Sequence, residues 1–424
     1  MKVKMSHLTN VNNMSDDQKT YITDELKVKM EDKYSFGPIM YFYPYDLEGD
    51  GTIKLPFNYG NKRLKLKRRK RSDFTQIECA FDGELRNEQQ IVKIEATNAL
   101  NKHGSVILSM YCGFGKTITS INLACSIRMK TLIIVNKVVL MQQWLTSINQ
   151  FASGSSVQKI LPKTKIKDCD FYIINAINVS KIPPEHLRDI GTVIVDEAHL
   201  IMAETISKSL HGVQPRYLIG LTATPYRPDG LDSLLGFYFG DVKIIRELYR
   251  EHTVYKVETG FEPIVELTQQ GKVNWNSVLD SQSKDPERNE LIIRIIREHP
   301  ERNFLVLVKR VEQGHLIEKI LNEYGENVTS LLGSNQTYDS TSRILIGTCS
   351  KVGTGFDHPK LDTLLLAADV QEYFIQYLGR CMRTLDTKPV IFDLVDNYSL
   401  LTKHYTVRKK IYEKHGGIIK KVKY

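Results

Sequence analysis

A chain of 424 residues is long enough for two or three domains, each with its own hydrophobic core. Its hydrophobic content of 42% and charged content of 25% are typical of soluble globular proteins. The formal net charge of +9 favours a polyanionic partner without identifying one. No run of about 18 apolar residues occurs, and the first residues lack the apolar core of a signal peptide, so no membrane span is expected.

The cysteines are scattered along the chain. They form no CxxC pair, and no histidine cluster accompanies them at ligand spacing. Neither a zinc site nor a disulfide framework is therefore expected, and a reducing compartment fits best. The six cysteines are Cys79, Cys112, Cys125, Cys169, Cys349 and Cys381.

Residues 1–80 differ from the rest of the chain and are interpreted as a small N-terminal accessory region. They contain few periodic segments and end in a dense basic run, NKRLKLKRRKR. The run has two interpretations: an exposed, flexible hinge, or an arm that contacts nucleic-acid phosphates. Its basic residues are Lys62, Arg63, Lys65, Lys67, Arg68, Arg69, Lys70 and Arg71.

From about residue 85, short apolar strands alternate with helices. Such alternation indicates parallel βαβ units with functional loops at the strand ends. It predicts a first α/β domain over residues 81–245. The predicted strands are 105–110, 131–136, 171–176, 192–197 and 216–224, and the first helices follow Thr117 and the strand at 131–136.

A second series of the same kind predicts a second α/β domain over residues 287–424. Residues 246–286 show no strong alternation and are interpreted as the connection. The fold class is thus α/β, with two parallel-sheet domains in tandem after the N-terminal region. The predicted strands of the second domain are 304–309, 343–348, 361–368 and 389–395, with helices at about 287–299 and up to residue 323.

The segment MYCGFGKT (110–117) resembles a phosphate-binding loop in which Met110 replaces the first glycine. It follows a predicted strand and begins a predicted helix, so backbone N–H groups would face an anion. Lys116 would reach the β- and γ-phosphates, and Thr117 would offer its hydroxyl to Mg²⁺. The alternative is a structural glycine turn around Gly113 and Gly115.

Two further segments of the first domain place polar residues at predicted strand ends. VIVDEAH (193–199) delivers Asp196, suited to hold Mg²⁺, and Glu197, suited to polarise an attacking water. Taken alone, the Asp-Glu pair could equally be a helix N-cap. LTATP (221–225) offers the hydroxyls of Thr222 and Thr224, which could link a nucleotide site to another ligand.

The second domain carries KVGTGFD (351–357) after one strand and QYLGRCMR (376–383) farther on. The second segment places Arg380 and Arg383 three residues apart, on neighbouring positions of a helix face. They are either solvated helix charges or arginines that neutralise charge on a γ-phosphate held by the other domain.

The ordered set CGFGKT, DEAH, TAT, GTGFD and QxxGRxxR resembles the motif series of superfamily 2 DEAH-box helicases and covers residues 85–400. LTATPYRPDG is similar to a stretch of the XPB-type branch, which has phage and poxvirus relatives such as the UvsW-like branch-migration helicases. That branch often carries an apolar residue where the phosphate loop's first glycine is expected, as Met110 does here. LRNEQQ (85–90) is similar to its LRPYQ stretch, although Asn87 and Glu88 replace Pro-Tyr.

The resemblance implies two RecA-like domains that bind ATP and Mg²⁺ between them. It assigns the reaction to Lys116, Glu197, Arg380 and Arg383, and the metal to Thr117 and Asp196. Nucleotide contacts would come from Gln89, Gly113, Gly115, Lys116, Thr117, Gly355 and Asp357. Thr222, Thr224 and Gln376 would couple the nucleotide to nucleic acid, and the basic run would contact duplex or branched DNA.

The resemblance implies single-stranded, forked or branched DNA as the partner, moved by a monomeric motor with 3′-to-5′ polarity. The expected location is the cytoplasm, which is the host cytoplasm if the chain comes from a virus or a phage. RNA is the less favoured partner. Three alternatives stay open: an RNA helicase or transcript-release factor, a nucleic-acid-binding module with an inactive motor, and the motor subunit of a restriction complex.

Overall fold

The computed structural model describes residues 8–30, 40–201, 208–223, 232–335, 337–352, 358–370, 374–382 and 387–422. The chain divides into two compact units, Met1–Arg246 and Glu247–Tyr424. In the described residues, no helix is long and apolar enough to cross a membrane.

The N-terminal accessory region is a small α+β element that packs within the first unit. Strand β5 lies between antiparallel β1 and β4, while β2 pairs with β3. A small core of Ile22, Leu26, Ile53, Leu55 and Tyr59 holds it together. The elements are β1 (Leu8–Asn10), β2 (Val28–Met30), β3 (Met40–Phe42), β4 (Asp46–Leu47), β5 (Thr52–Lys54), α1 (Asp16–Glu25) and α2 (Phe57–Lys62).

The rest of the first unit is a seven-stranded parallel sheet, which confirms the predicted α/β fold class. Its strands are β6 (Ser105–Met110), β7 (Thr131–Val135), β8 (Val157–Ile160), β9 (Phe171–Asn175), β10 (Thr192–Val195), β11 (Tyr217–Thr222) and β12 (Lys243–Arg246), in the order β12-β6-β11-β10-β7-β9-β8. Its helices are α3 (Asn87–His103), α4 (Lys116–Ile127), α5 (Val138–Phe151), α6 (Pro184–Leu187), α7 (Ala198–Ile201) and α8 (Asp232–Phe239).

Helices cover both faces of this sheet, which explains its continuous apolar strands. Along β6, Val106 and Leu108 point into one core, and Ile107 points into the other. The first core is completed by α3, α4 and α5, and the second by α8 and the α2 residue Phe57. The accessory region is thus part of the covering of the sheet.

The second unit contains another seven-stranded parallel sheet, in agreement with the predicted fold class. Its strands are β13 (His252–Glu258), β14 (Phe304–Val308), β15 (Val328–Leu331), β16 (Ile344–Thr348), β17 (Thr363–Leu366), β18 (Val390–Val395) and β19 (Gly417–Val422), in the order β15-β16-β14-β17-β18-β13-β19. Its helices are α9 (Trp275–Lys284), α10 (Pro286–Glu298), α11 (Val311–Glu323), α12 (Cys349–Val352), α13 (Phe374–Arg380) and α14 (Ser399–Lys414).

The interpretation of residues 246–286 as a connection is wrong for most of that segment. Strand β13 lies inside the second sheet, between β18 and β19, and α9 belongs to the same unit. The sequence of β13, HTVYKVE, mixes polar and charged residues with its two valines and ends in charge, so it lacks the apolar run that marks the predicted strands.

The cysteine expectation also needs a correction. Cys79 and Cys125 are joined by a disulfide, with their Cα atoms 4.9 Å apart. They are 46 residues apart in the sequence and come together because α4 packs beside the segment that precedes α3. No local spacing pattern encodes such a pair.

Candidate nucleotide site

The glycine-rich segment connects β6 to α4 with two residues in the left-handed region. The φ angles of Gly113 and Gly115 are +94° and +97°, which only glycine adopts without strain. The turn is closed by the Phe114 amide, which donates to the Tyr111 carbonyl at 3.2 Å. Gly115 then caps α4, so the first N–H groups of that helix face the loop. This is the strand–turn–helix context that a phosphate loop requires.

Gln89 packs directly against this loop. A Cβ on Gly115 would overlap the Gln89 Nε2 atom, so a side chain at position 115 would collide with the amide. Gln89 is buried, donates to the Phe114 carbonyl at 2.8 Å and accepts from the Arg86 amide at 2.9 Å. Its side chain therefore supports the loop, and adenine contact by Gln89 stays a prediction.

Lys116 lies across the loop as the first residue of α4. Its Nζ donates to the Met110 carbonyl at 2.9 Å, which places the ammonium at the end of β6. Thr117 follows on the first turn of the helix and is partly buried. Both side chains belong to the carboxyl edge of the sheet.

Asp196 is the first residue after β10 and is almost fully buried. Its Oδ2 accepts from the Trp144 indole Nε1–H at 2.8 Å, and its Oδ1 accepts from the Glu197 amide at 2.9 Å. Burial, and next the charge of Glu197, raise the pKa of Asp196 to about 6. The Trp144 bond and the charge of Lys116 act on this pKa in the opposite direction.

Glu197 and His199 continue the chain past Asp196. The φ of Glu197 is +49°, an uncommon value for a residue with a side chain. Its Oε2 lies 3.5 Å from the His199 Nδ1, and the same nitrogen lies 2.8 Å from the Thr222 hydroxyl. Thr222 ends β11, so this contact joins two strand ends through fully buried groups.

The three strands that carry these residues are neighbours in the order β6-β11-β10. Parallel strands end at one edge, and open α/β sheets bind ligands outside that edge. The structure thus brings together Gly113, Gly115, Lys116, Thr117, Asp196, Glu197 and Thr222.

The second unit supplies two described residues from the predicted set. Gln376 and Arg380 lie on α13, where Gln376 is buried and Arg380 is partly exposed. Nothing in the described part of this unit tests their roles. The predictions for Thr224, Gly355, Asp357 and Arg383 lie outside the described residues.

The arginines of the basic run bind the protein itself. Arg68 donates to the carbonyls of Leu100 and Asn101, both at 3.0 Å, and Arg71 donates to the Ile127 carbonyl. These carbonyls lie in the last turns of α3 and α4, where most carbonyls lack a donor within the helix. The two side chains therefore act as C-terminal caps.

Arg69 is the most deeply placed residue of the run. It is 8% exposed and donates to the carbonyls of Arg188 and Asp73, at 2.6 and 3.0 Å. Its guanidinium also lies 4.0 Å from the centre of the Phe74 ring. The segments that Arg68, Arg69 and Arg71 contact precede β6, β7 and β10, so the run lies at the amino edge, opposite the candidate nucleotide site.

The other basic residues of the run lie at the surface. Lys62 pairs with Asp241, and Arg63 pairs with Glu25, in both cases at the surface. The remaining lysines are exposed: Lys65, Lys67 and Lys70. An extended contact of all eight residues with phosphates would require the arginine caps to detach.

Trp144 and His199 are site residues that the motifs alone did not identify. A tryptophan in an amphipathic helix is ordinarily interpreted as core, and Trp144 is indeed 1% exposed. The helical pattern does not give the direction of its N–H, which depends on how α5 packs against β7, β8 and β9.

Comparisons with known proteins agree with this geometry. The family described as "Type III restriction enzyme, res subunit" matches residues 82–227. A protein of Invertebrate iridescent virus 6, described as a helicase, 161L, is 49% identical over 401 residues, covering 88% of this chain and 90% of its own.

Two further similarities are weaker. "Transcript termination protein A18" of Myxoma virus is 28% identical over 349 residues, covering 72% of this chain and 71% of its own. The solved structure of S. cerevisiae Dbp5 bound to RNA and ADP BeF3 has a TM-score of 0.56 at 13% identity, covering 78% of this chain and 89% of that one. This second similarity concerns the fold alone.

Proposed function

Since the chain belongs to the superfamily 2 helicase family, a nucleic-acid-dependent ATPase family, we propose that it is a DNA motor of the XPB-type branch. It moves 3′ to 5′ on forked or branched DNA and drives unwinding or branch migration. The observation that carries the proposal is the convergence of Lys116, Asp196 and Glu197 at the carboxyl edge of three adjacent strands.

Hydrolysis requires an attack by water on the γ-phosphorus. The bond to the bridging oxygen breaks, ADP leaves, and the water gives up a proton. Glu197, next to the buried Asp196, is the base that accepts this proton. Lys116 and the N–H groups at the start of α4 bind the phosphates, whose negative charge favours the positive end of a helix.

The residues present fit a divalent cation. Asp196 and Glu197 are adjacent carboxylates. Burial raises the pKa of Asp196, and a cation bound nearby would act in the opposite direction because it favours the charged form. Thr117, on the first turn of α4, supplies the hydroxyl oxygen that Mg²⁺ prefers. When bound, Mg²⁺ would neutralise phosphate charge; Asp196 and Thr117 would hold it.

A surface for nucleic acid lies along the same edge of the first sheet. β7 and β9 are adjacent, and each is followed by a strongly exposed aliphatic side chain: Val138 (66%) and Ile177 (64%). Lys181 and Asn178, which hydrogen-bond each other at 2.8 Å, lie beside Ile177. The amide and ammonium donors suit contact with the backbone of a nucleic-acid strand, and the exposed aliphatic groups offer apolar contact beside it.

The second candidate is action on RNA or on a transcribing complex. The similarity to a protein named for transcript termination favours it. The two proposed functions differ in whether DNA or RNA activates ATP hydrolysis. ATP turnover is therefore to be measured with single-stranded, forked and four-way DNA and with RNA of matched sequence.

We expect DNA to stimulate ATP turnover more than RNA does. Strand displacement should occur only on substrates that carry a 3′ tail. Lys116→Ala provides the inactive baseline. Stimulation by RNA alone would replace the proposal with the second candidate, and no stimulation by either polymer would leave a binding module without a motor.

Arg383→Ala tests the arginine role: ATP turnover should fall by roughly 10³-fold or more while DNA affinity is largely kept.

A further inference from the structure

Trp144 makes a side-chain hydrogen bond to the candidate metal-holding carboxylate. The indole Nε1–H donates to the Asp196 Oδ2 at 2.8 Å, within the buried part of the first unit. A buried indole N–H needs an acceptor, and a backbone carbonyl or an amide would have served. Here the acceptor is a carboxylate, so the bond is charge-assisted and stronger than a neutral one.

The bond has a geometric consequence for Asp196. One carboxylate oxygen is held by the indole, and the other is held by the Glu197 amide at 2.9 Å. Two donors on opposite oxygens fix the plane of the carboxylate as well as its position. The α5 backbone carries Trp144 and is itself fixed by buried neighbours such as Met141 and Ile148.

We propose that Trp144 is a positioning residue that orients Asp196 toward the magnesium–nucleotide complex, and that its indole senses occupation of the site. This inference rests on the proposed function, because it assumes that Asp196 holds Mg²⁺. Outer groups that orient metal ligands commonly contribute roughly 10- to 100-fold to metal affinity. A role in packing alone would give no such selective effect on the metal.

The first test compares Trp144→Phe with Ile148→Val. Phenylalanine keeps an aromatic ring but removes the N–H donor, while Ile148→Val removes packing from the same helix without touching Asp196. Binding of a fluorescent ADP analogue is measured with and without Mg²⁺, and Mn²⁺ affinity is measured by electron paramagnetic resonance on the full chain with nucleotide bound.

Trp144→Phe should bind the analogue normally without metal and should bind Mn²⁺ at least about tenfold more weakly. Ile148→Val should leave Mn²⁺ affinity near that of the unaltered chain. Equal losses in both variants, or no loss in either, would show that Trp144 only packs. If the unaltered chain shows no metal-dependent nucleotide binding, the proposed function and this inference both fail.

A second test does not alter Trp144. The chain has two tryptophans, Trp144 and Trp275. Trp275 lies in the second unit against His404, so Trp275→Phe leaves Trp144 as the only indole. Its fluorescence should change when ADP and Mg²⁺ are added together, and the change should disappear in Trp275→Phe with Asp196→Ala. If the fluorescence of Trp144 does not change on addition of Mg²⁺ to the nucleotide-bound protein, the inference is wrong. This test remains available even if Trp144→Phe fails to fold.

Discussion

The hydroxyl of Thr222 lies 2.8 Å from the Nδ1 of His199, and both side chains are fully buried. The same imidazole nitrogen is 3.5 Å from Glu197. Through these contacts the end of β11 is connected to the carboxylate proposed to activate water. Buried polar contacts of this kind hold their partners in defined positions because leaving one unsatisfied is costly.

Thr222→Val should uncouple the motor more than it impairs hydrolysis. Valine has nearly the same shape as threonine but cannot bond to His199, so Glu197 loses an indirect support. We expect strand displacement per ATP hydrolysed to fall severalfold while ATP affinity stays near normal. Thr222→Ser, which keeps the hydroxyl, is the matched control. Equal losses in both variants would indicate a packing defect and contradict a coupling role.

The motifs of the first unit were predictable because each combines a fixed spacing with a strand end. Lys116, Asp196 and Glu197 required only the chain order and the rule that parallel strands end at one edge. Trp144 and the packing of Gln89 on Gly115 were not predictable in this way. They depend on which side of a helix faces the loop and on the direction of one N–H bond.

Glu197→Gln should bind ATP and hydrolyse it slowly. The amide is the same size as the carboxylate but cannot accept a proton, and losing a general base costs on the order of 10²–10⁴ in rate. Single-turnover hydrolysis and nucleotide binding are to be measured on the same preparation. Turnover within a few-fold of the unaltered chain would remove Glu197 from the mechanism.

Gly115→Ala should abolish nucleotide binding. The new Cβ would overlap the Gln89 Nε2, and the φ of +97° is strained for alanine, so both the loop and its support must move. Gly154→Ala is the control, because a Cβ there meets no atom within 4 Å. Titration with a fluorescent nucleotide distinguishes them: only Gly115→Ala should lose binding, and retained affinity would show that the loop tolerates a side chain.

The least predictable parts of the fold were the basic run and residues 246–286. Strand β13 lies between β18 and β19, and its partly exposed residues give it no continuous apolar run. The basic run was interpreted from charge density alone. Charge density does not reveal that Arg68 and Arg71 cap helix ends, because the carbonyls they meet are distant in sequence.

His252 should make the stability of the second unit depend on pH. It is fully buried at the start of β13, and burial is the main cause that lowers its pKa below 6.5, with the electrostatic interactions with His415 and Lys388 acting in the same direction. Its Nδ1 hydrogen-bonds to the Arg250 carbonyl at 2.7 Å. The folded state therefore keeps this histidine neutral at a pH where the unfolded chain begins to take up a proton.

The unfolded state then binds more protons below about pH 6.5, so the contribution to stability is complete above that pH and is lost as the pH falls toward the folded pKa. The thermal midpoint of the second unit should decline between about pH 7 and pH 5.5, and less so in His252→Asn, which keeps a donor for the Arg250 carbonyl. Parallel pH profiles for the two proteins would contradict the assignment.

Two groups of residues in the basic run should respond differently to substitution. Arg69→Met leaves the carbonyls of Arg188 and Asp73 without their guanidinium donor, and a hydrogen bond from a charged group contributes roughly 1.5–3 kcal/mol. We expect the free energy of unfolding of the first unit to fall by about 3 kcal/mol, measured by urea titration. Replacing Lys65, Lys67 and Lys70 together with Gln should leave that free energy unchanged, because all three are exposed.

The same triple variant tests the proposed contact with DNA. Each phosphate contact that is lost flattens the slope of log affinity against log salt by about 0.9, so three lysines can change it by at most about 2.7 on duplex DNA. A flatter slope on forked DNA, with ATP turnover at saturating single-stranded DNA unchanged, would place these lysines on the nucleic acid. An unchanged slope would mean that the run serves only to attach the accessory region to the amino edge of the sheet, where Arg68, Arg69 and Arg71 already bind backbone carbonyls.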